Sequence, residues 1–345
     1  MKGIAHLFDV SSFVYTGMSP GATQYNTVKM QGFPVGGMKY FLRYMLAPLV
    51  RTGGEVAVFF DSKTDRKTKY SSYKSGRDHS PEIHAQVEEL YDSLMRVGIP
   101  CYKVDGYEAD DLIFSAVEQF KLTHSRVYIY SSDYDLTHNV DSTVQFFAAN
   151  SNVNNVTLSN FDYSVVKGKK ILPNTISAYK VFTGCDSDGV PSFISEGGIS
   201  GEIYYDRFCK YLLDNLNPYS IAVSRDPRAL KIFIYQEVKQ ELTEKDISDL
   251  TARIDVIYPR KAEMEFTTAS KAEVDMVGLS KLLTICHEYQ GLKLIRMPQY
   301  EVSEKEAEYF RTKARQLYTG EYAADRALKL EEFSVKSEAL NVRSF

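Results

Sequence analysis

The chain has 345 residues, of which 44% are hydrophobic and 25% are charged. We therefore expect a soluble globular protein with one large domain or two smaller ones. The formal net charge of −4 disfavours a protein that binds nucleic acid over its whole surface, because such proteins usually carry an excess of Lys and Arg.

The sequence predicts neither export nor membrane insertion. No eighteen apolar residues run together, and the short apolar run from Met1 to Phe8 lacks the long apolar core and small-residue cleavage site of a signal peptide. The four cysteines form no CxxC pair, which disfavours a structural zinc site and a disulfide framework; they are Cys101, Cys185, Cys209 and Cys286. We expect a cytoplasmic protein with reduced thiols.

The first half of the chain alternates short apolar runs, typical of strands, with stretches at helical spacing. Such alternation predicts an α/β fold with a parallel, doubly wound sheet. The four runs are Ile4–Phe8, Val56–Phe60, Cys101–Val104 and Arg126–Tyr130.

Helix signals divide the rest of the chain. Ser80-Pro81 opens a segment with apolar residues at helical spacing that ends at Gly98, and Asp226-Pro227 begins a second helix. Past Pro173 the strand signals fade and the pattern is mostly helical. We expect an α/β core over residues 1–172 that includes a basic segment at 62–80, a helix–loop–helix-like region over 173–215 and a mostly helical region over 216–345.

Acidic residues follow all four predicted strands. Because ligands of open parallel sheets collect at the carboxyl ends of the strands, these side chains should converge. They are Asp9, Asp61, Glu108, Asp110, Asp111, Asp133 and Asp135. Carboxylates packed so closely repel one another unless cations lie among them.

Oxygen ligands without neighbouring His or Cys suit hard ions, so we expect Mg²⁺ or Mn²⁺, with enough carboxylates for two ions. Two such ions about 4 Å apart activate a water and stabilise the leaving oxygen in phosphodiester cleavage. A structural alternative is open for each residue: an Asp after a strand is a common helix N-cap, and Glu108–Asp111 is also a favourable acidic first turn.

A basic segment follows the second strand. Cations here would neutralise phosphates, and aromatic rings would stack on unpaired bases. The alternative is a solvated basic helix. The segment contains Lys63, Arg66, Lys67, Lys69, Tyr70, Tyr73, Lys74 and Arg77.

The order and spacing of six motifs resemble the 5′ nucleases, a family that includes flap endonucleases, phage 5′–3′ exonucleases and the nuclease domain of bacterial DNA polymerase I. The resemblance runs from about residue 4 to about residue 200. The motifs are Leu7-Phe8-Asp9, Gly32-Phe33-Pro34-Val35-Gly36-Gly37, Phe60-Asp61, Tyr73-Lys74-Ser75-Gly76-Arg77, Gly106-Tyr107-Glu108-Ala109-Asp110-Asp111 and Ser132-Asp133-Tyr134-Asp135.

The resemblance implies a PIN-like nuclease core with a basic helical arch. Asp9, Asp61, Glu108, Asp110 and Asp111 would hold or orient one metal ion, and Asp133 and Asp135 would serve a second. Lys74 would position the scissile phosphate, and Arg77 would bind phosphate oxygens. The implied catalytic residues are Asp9, Lys74, Arg77 and Asp110, and the implied nucleic-acid contacts are Lys63, Arg66, Lys67, Lys69, Tyr73, Lys74 and Arg77.

Two segments depart from the family pattern. Where the family has Asp-x-x-Asp-Asn, this chain has Gly184-Cys185-Asp186-Ser187-Asp188-Gly189, so Asp188 fills the second acidic place and Cys185 replaces the first. Asp186 is the substitute ligand we consider, and an Asp-Gly turn is the structural alternative. The family's glycine-rich, lysine-containing hairpin is represented by Ser195–Gly201, where backbone amides would take a phosphate but Glu196 opposes one.

The implied function is 5′–3′ exonuclease or flap-endonuclease cleavage of branched, nicked or primer-bearing DNA in replication or repair, with RNase H-like primer removal included. Its substrates would carry a 5′ flap, a nick or a single-stranded 5′ end, with RNA–DNA hybrids admitted. Replication proteins would bind through the C-terminal region, and the divergence of that region suggests a bacteriophage source. The alternatives are a catalytically weakened DNA-structure-binding protein of the same fold and a PIN-type ribonuclease.

Overall fold

The computed structural model describes residues 2–22, 25, 28–30, 33–75, 80–148, 157–158, 164–166, 169–171, 173–215 and 225–288. The strands are β1 (Lys2–Asp9), β2 (Lys29–Met30), β3 (Phe33–Pro34), β4 (Glu55–Phe59), β5 (Cys101–Tyr102), β6 (His124–Ser131), β7 (Val144–Ala148), β8 (Thr157–Leu158), β9 (Ser164–Val166) and β10 (Lys169–Ile171). The α-helices are α1 (Val10–Met18), α2 (Gly36–Ala47), α3 (Arg66–Lys69), α4 (Pro81–Arg96), α5 (Ala109–Thr123), α6 (Ile176–Thr183), α7 (Gly201–Asn215), α8 (Pro227–Phe233), α9 (Glu244–Ile257) and α10 (Met276–Glu288). None of the helices in these ranges has the length and apolarity needed to cross a membrane.

All four predicted strands form, as β1, β4, β5 and β6, and the fold is α/β as expected. The third is shorter than predicted, ending at Tyr102. The backbone N–H of Val58 donates to Pro100 and that of Phe60 to Tyr102, both at 2.9 Å, which is the register of a parallel pair. The sequence prediction missed β7, a run of five buried residues that follows a turn.

The chain divides into two compact units. The first comprises residues 1–2, 59–79 and 102–266, and the second comprises residues 3–58, 80–101 and 267–345. In the first unit β6 pairs in parallel with β7, from Val127 opposite Val144 to Ser131 opposite Ala148. Residues 127–131 of β6 are all buried, as in strands covered on both faces.

A second hydrophobic core in the first unit joins α6, α7, α8 and α9. It is built around the buried rings of Phe182, Tyr204, Phe208 and Phe233, with Leu250 from α9. Helix α8 begins where the Asp-Pro signal predicted, because the Asp226 carboxylate accepts a hydrogen bond from the Arg228 N–H at 2.8 Å. The described part of the chain beyond residue 173 is mostly helical, which confirms that prediction.

In the second unit α1 and α2 pack at two glycines. A Cβ added to Gly17 would lie 2.6 Å from the Tyr40 Cβ, and one added to Gly37 would lie 2.6 Å from a Val14 methyl, so only glycine permits this approach. The predicted helix after Ser80 also belongs to this unit. It is α4, with Pro81 in its first turn, and the chain turns away at Gly98, whose φ is +81°.

Candidate active site

The strand-end carboxylates have different surroundings. Asp9 lies in the second unit, where it is 5% exposed and caps α1 by accepting a hydrogen bond from the Ser12 N–H at 3.3 Å. Asp61 is exposed and accepts from the Ala109 N–H at 3.0 Å, so it caps the first turn of α5. The Asp9 contact matches the N-cap alternative, whereas the N-cap of α5 is Glu108, and the metal role of Asp9 and Asp61 stays a prediction.

Glu108 is buried and held by three side chains. Its Oε1 lies 2.8 Å from Lys74 Nζ, and its Oε2 accepts hydrogen bonds from the Arg66 guanidinium at 2.5 Å and from the Tyr73 hydroxyl at 2.8 Å. Burial alone would raise the pKa of Glu108, but the charges of Lys74 and Arg66 outweigh it and lower the pKa to about 2. Glu108 is therefore a carboxylate that fixes the position of Lys74.

Asp111 is fully buried and surrounded by donors. Its Oδ1 accepts from Arg66 Nη2 at 2.5 Å and from the Arg260 N–H at 2.6 Å, and its Oδ2 accepts from the Glu108 N–H at 3.1 Å. The Arg260 side chain also reaches Oδ2, at 3.3 Å. Asp111 was predicted either to hold a metal ion or to orient its ligands. These contacts favour the orienting role.

One pocket in the first unit is lined by Lys74 and four aspartates. Its cavity volume is about 30 Å³, which exceeds the space that one water needs. Asp110 enters it from the first turn of α5, and Asp133 and Asp135 enter from the segment after β6. The aspartates are Asp110, Asp133, Asp135 and Asp188.

Asp135 shows how strongly these carboxylates affect one another. Burial and the neighbouring charge of Asp133 raise the pKa of Asp135 to about 7, although Lys180 forms an ion pair with it. Asp188 adds to the same repulsion. The pKa of the Lys180 ammonium is raised well above its ordinary value, because the charges of these carboxylates more than offset the effect of its burial.

The loop that departs from the family pattern is a short 3₁₀ turn, Asp186–Asp188. Asp188 is buried, and the Cys185 thiol donates to its Oδ2 at 3.1 Å. Asp186 is exposed and is not among the pocket-lining residues. The geometry thus favours Asp188 over Asp186 as a ligand. Gly189 ends the turn with φ of +69°, so the Asp-Gly turn is present together with the pocket.

The basic segment differs from the predicted arch. Its described part, residues 62–75, contains one helical turn, α3, and its last residues bind the 3₁₀ loop: Lys74 N–H donates to Asp188 O at 2.7 Å, and Ser72 Oγ donates to Gly189 O at 2.7 Å. Lys74 has φ of +50°, a strained conformation for a residue with a side chain.

Two of the predicted nucleic-acid contacts, Arg66 and Tyr73, line the pocket but are buried, so their contact with DNA stays a prediction. Arg66 and Tyr73 are each 3% exposed, because their polar atoms bind Glu108 and Asp111 inside the protein. Lys63, Lys67 and Lys69 are exposed, so their contact with DNA stays a prediction. Arg77 lies outside the described residues, as does the C-terminal stretch from residue 289.

The hairpin Ser195–Gly201 already uses its amides within the protein. The Glu196 N–H donates to the Asp246 carboxylate at 3.1 Å, and the Ile199 N–H donates to Ser195 Oγ at 3.0 Å. Asp246 therefore accepts from an amide that we considered for a phosphate. Helices α6 and α7 lie on either side of this hairpin, and a helix–loop–helix-like role for residues 173–215 stays a prediction.

The sequence reasoning missed three cationic residues of the site: Lys180, Arg253 and Arg260. Lys180 lies in α6, and Arg253 and Arg260 lie near the C-terminal end of the last sequence range of the first unit. Arg253 is buried and donates to the carbonyl of Pro191, beside the Asp188 loop. Lys180 precedes the Gly184–Asp188 motif by one helical turn, which was a usable signal, whereas nothing local marks Arg260.

The donor chemistry of the pocket fits a hard divalent ion. Four carboxylates line one pocket, and the repulsion that raises the pKa of Asp135 is what a bound cation would relieve. As the side chains stand, no three His, Cys, Asp or Glu residues in the described ranges converge closely enough to hold one ion. One of the four pocket aspartates, Asp135, now pairs with Lys180.

Comparisons with known proteins find similarity to 5′-3′ exonucleases and to DNA polymerase I. Residues 5–169 match the family model described as the 5′-3′ exonuclease, N-terminal resolvase-like domain. The 5′-3′ exonuclease of Aquifex aeolicus is 27% identical over 291 residues, covering 79% of this chain and 95% of that protein. DNA polymerase I of Caldicellulosiruptor bescii is 29% identical over 209 residues, covering 59% of this chain and 24% of that protein.

Among solved structures, the T5 D15 protein co-crystallised with metal ions matches with a TM-score of 0.49 and 11% identity, covering 91% of this chain and 98% of that one. The family model spans the motifs from Asp9 to Asp135, which include every strand-end carboxylate. These similarities support a nuclease of the 5′ nuclease type across residues 5–169, slightly less than half of the chain.

Proposed function

We propose that this protein is a divalent-metal-dependent 5′ nuclease that hydrolyses phosphodiesters in DNA, as a 5′–3′ exonuclease, a flap endonuclease or both. The observation that carries the proposal is the pocket in which Lys74 faces Asp110, Asp133, Asp135 and Asp188. A cation beside several carboxylates is an arrangement that both binds metal and receives an anionic phosphate.

Asp110, Asp133, Asp135 and Asp188 would hold Mg²⁺ or Mn²⁺, and two ions are the number we propose. When bound, such ions polarise a phosphate oxygen and lower the pKa of a bound water. Lys74 binds a non-bridging phosphate oxygen, and Glu108 holds its ammonium group in place at 2.8 Å. The backbone carbonyl of Asp188 accepts a hydrogen bond from the Lys74 N–H. This bond fixes the distance between the basic segment and the loop that carries Asp188.

The substrate side of the proposal rests on the exposed lysines of the basic segment. Lys63, Lys67 and Lys69 are in contact with solvent and belong to the same basic segment as Lys74, where they would bind the phosphates of a 5′ flap, a nick or a single-stranded 5′ end. Primer-bearing RNA–DNA hybrids offer the same phosphates. We propose a role in replication or repair inside the cytoplasm.

Cleavage of defined DNA substrates tests this function. Labelled 5′-flap, nicked, blunt-ended and RNA-primed duplexes would each be incubated with Mg²⁺, Mn²⁺ or EDTA. We expect cutting near the 5′ end or branch with either ion and none in EDTA. Binding of flap DNA without cutting would support the DNA-structure-binding alternative and direct attention to Cys185. Cutting of single-stranded RNA alone would support the PIN-type ribonuclease.

A further inference from the structure

Arg260 joins the C-terminal end of the first unit to the residues around the pocket. Its Nη1 donates to Asp65 Oδ1 at 2.8 Å, and its Nη2 donates to Thr64 Oγ1 at 3.0 Å and to the carbonyl of Gly106. The guanidinium also lies over the Tyr107 ring, 5.3 Å from its centre. One side chain therefore ties the start of the basic segment to the loop before α5.

The same residue reaches Lys74 through a chain of buried charges. Arg260 binds Asp111 through both its backbone N–H and its side chain. Asp111 binds Arg66, and Arg66 binds Glu108, each at 2.5 Å. Glu108 in turn holds the Lys74 ammonium at 2.8 Å. Because Asp111 is 0% exposed and Arg66 is 3% exposed, water does not replace these contacts.

Neighbouring residues of the C-terminal region support the same segment. The carbonyl of Tyr258 accepts from Arg66 Nη2 at 3.4 Å. Val256, from the end of α9, packs in one buried cluster with Tyr73, Cys185 and Val190. Residues 256–260 thus contact both sides of the pocket, the basic segment and the loop that carries Asp188.

We infer that Arg260 is a positioning residue for Lys74: it does not touch the substrate, but it fixes the Lys74 ammonium over the carboxylate pocket through Asp111, Arg66 and Glu108. The expected effect of Arg260 on cleavage rests on the proposed function. Its effect on the position of Lys74 does not. A lysine would not replace Arg260, since its single ammonium cannot bind Asp65, Gly106 and Asp111 in a fork.

The substitution Arg260→Ala should still fold. The backbone N–H of residue 260 continues to donate to Asp111, and Arg66 still neutralises that carboxylate. Arg260 is also 24% exposed, so its removal opens no sealed cavity. Arg260→Lys provides a second variant that keeps the charge. Arg228→Ala is the matched control, because Arg228 belongs to the same region but is 83% exposed and binds only the surface residue Asp226 among the described contacts.

Amide hydrogen exchange tests the structural part without any substrate. In Arg260→Ala, exchange in residues 62–75 should speed up by about tenfold or more, because the Lys74 N–H bond to Asp188 opens more often. Strand β6 should exchange as in the unmodified protein. Arg260→Lys should be intermediate, and Arg228→Ala should change neither segment.

Kinetics test the catalytic part. Arg260→Ala should lower kcat for flap cleavage by roughly 10- to 100-fold and leave KM within about twofold, since misplacement of a reacting group costs rate and not substrate binding. In a Lys74→Ala background the same change should have almost no further effect. The inference would be overturned if amide hydrogen exchange in residues 62–75 were the same in Arg260→Ala as in the unmodified protein. It would also be overturned if Arg260→Ala lowered kcat as much in the Lys74→Ala background as in the unmodified protein. If the unmodified protein cuts no substrate, the proposed function fails, and exchange alone decides the positioning role.

Discussion

Lys74 Nζ lies 2.8 Å from Glu108 Oε1, while the Lys74 backbone N–H lies 2.7 Å from the carbonyl of Asp188. One residue therefore contacts both the start of α5 and the loop that carries a pocket carboxylate. Its φ of +50° is the conformation that allows these two contacts together.

Two replacements of Lys74 should distinguish the effect of its charge on cleavage from the effect of its backbone strain on stability. Lys74→Ala and Lys74→Gly both lose the ammonium, so we expect each to cleave DNA on the order of 100-fold more slowly. Lys74→Gly should be more stable than Lys74→Ala by about 1 kcal/mol, because glycine adopts the left-handed conformation without a Cβ penalty. Chemical denaturation and single-turnover cleavage measure both. Cleavage by Lys74→Ala at the normal rate would remove Lys74 from the active site.

Removal of Lys180 should increase the protein's response to magnesium. The ammonium of Lys180 pairs with Asp135, so Lys180→Met leaves the carboxylates of Asp133, Asp135 and Asp188 without that cation. We expect a lower melting temperature in EDTA and a larger rise on addition of Mg²⁺ than in the unmodified protein. Lys231→Met, at an exposed lysine paired with Asp255, is the control. An equal magnesium shift in both variants contradicts a cation site at these aspartates.

His138 should make stability depend on pH. Burial and the charge of Arg225 lower the pKa of His138 from 6.5 to about 3. Between these pH values His138 is protonated in the unfolded chain but neutral in the folded protein. The stability from the neutral imidazole is present above pH 6.5 and declines as pH falls from 6.5 towards about 3, by up to about 1.4 kcal/mol per pH unit. Denaturation in EDTA at pH values on both sides of 6.5 should show a shallower acid decline for His138→Gln. Parallel curves for the two proteins would contradict the assignment.

A methyl group at Gly37 should destabilise the second unit. The new Cβ would lie 2.6 Å from a Val14 methyl and 2.9 Å from the Val14 carbonyl, so α1 and α2 must separate. We expect Gly37→Ala to lose about 1–3 kcal/mol of unfolding free energy. Gly3→Ala is the control, because its Cβ would meet nothing within 4 Å. A Gly37→Ala protein as stable as the control would show that the helix contact is looser than described.

Local patterns in the sequence explain what could be predicted. The strands β1, β4, β5 and β6 were visible because each contains a short apolar run, and the carboxylates after them follow from chain order. Asp188 was expected in the same pocket, and Asp110, Asp133, Asp135 and Asp188 do line one pocket. Strand β8, which pairs with β7, and the separate strand β9 were missed because they have only two and three residues.

Long-range pairings explain what could not be predicted. Arg66 was expected to bind DNA because a basic run has the same sequence pattern whether it is solvated or paired. Its burial depends on Glu108 and Asp111, 42 and 45 residues away, and on Tyr258, 192 residues away. Arg260 has no neighbour in sequence that marks it, since Asp65 lies 195 residues away.

The most direct test of the carboxylate pocket is flap cleavage by Asp110→Asn in Mg²⁺, compared with Asp255→Asn, a surface aspartate paired with Lys231. We expect Asp110→Asn to keep its fold, to bind flap DNA and to cut it at least about 100-fold more slowly, because a neutral amide weakens the cation site. Asp255→Asn should cut normally. Near-normal cleavage by a folded Asp110→Asn protein would contradict the assignment of this pocket as the metal-dependent active site.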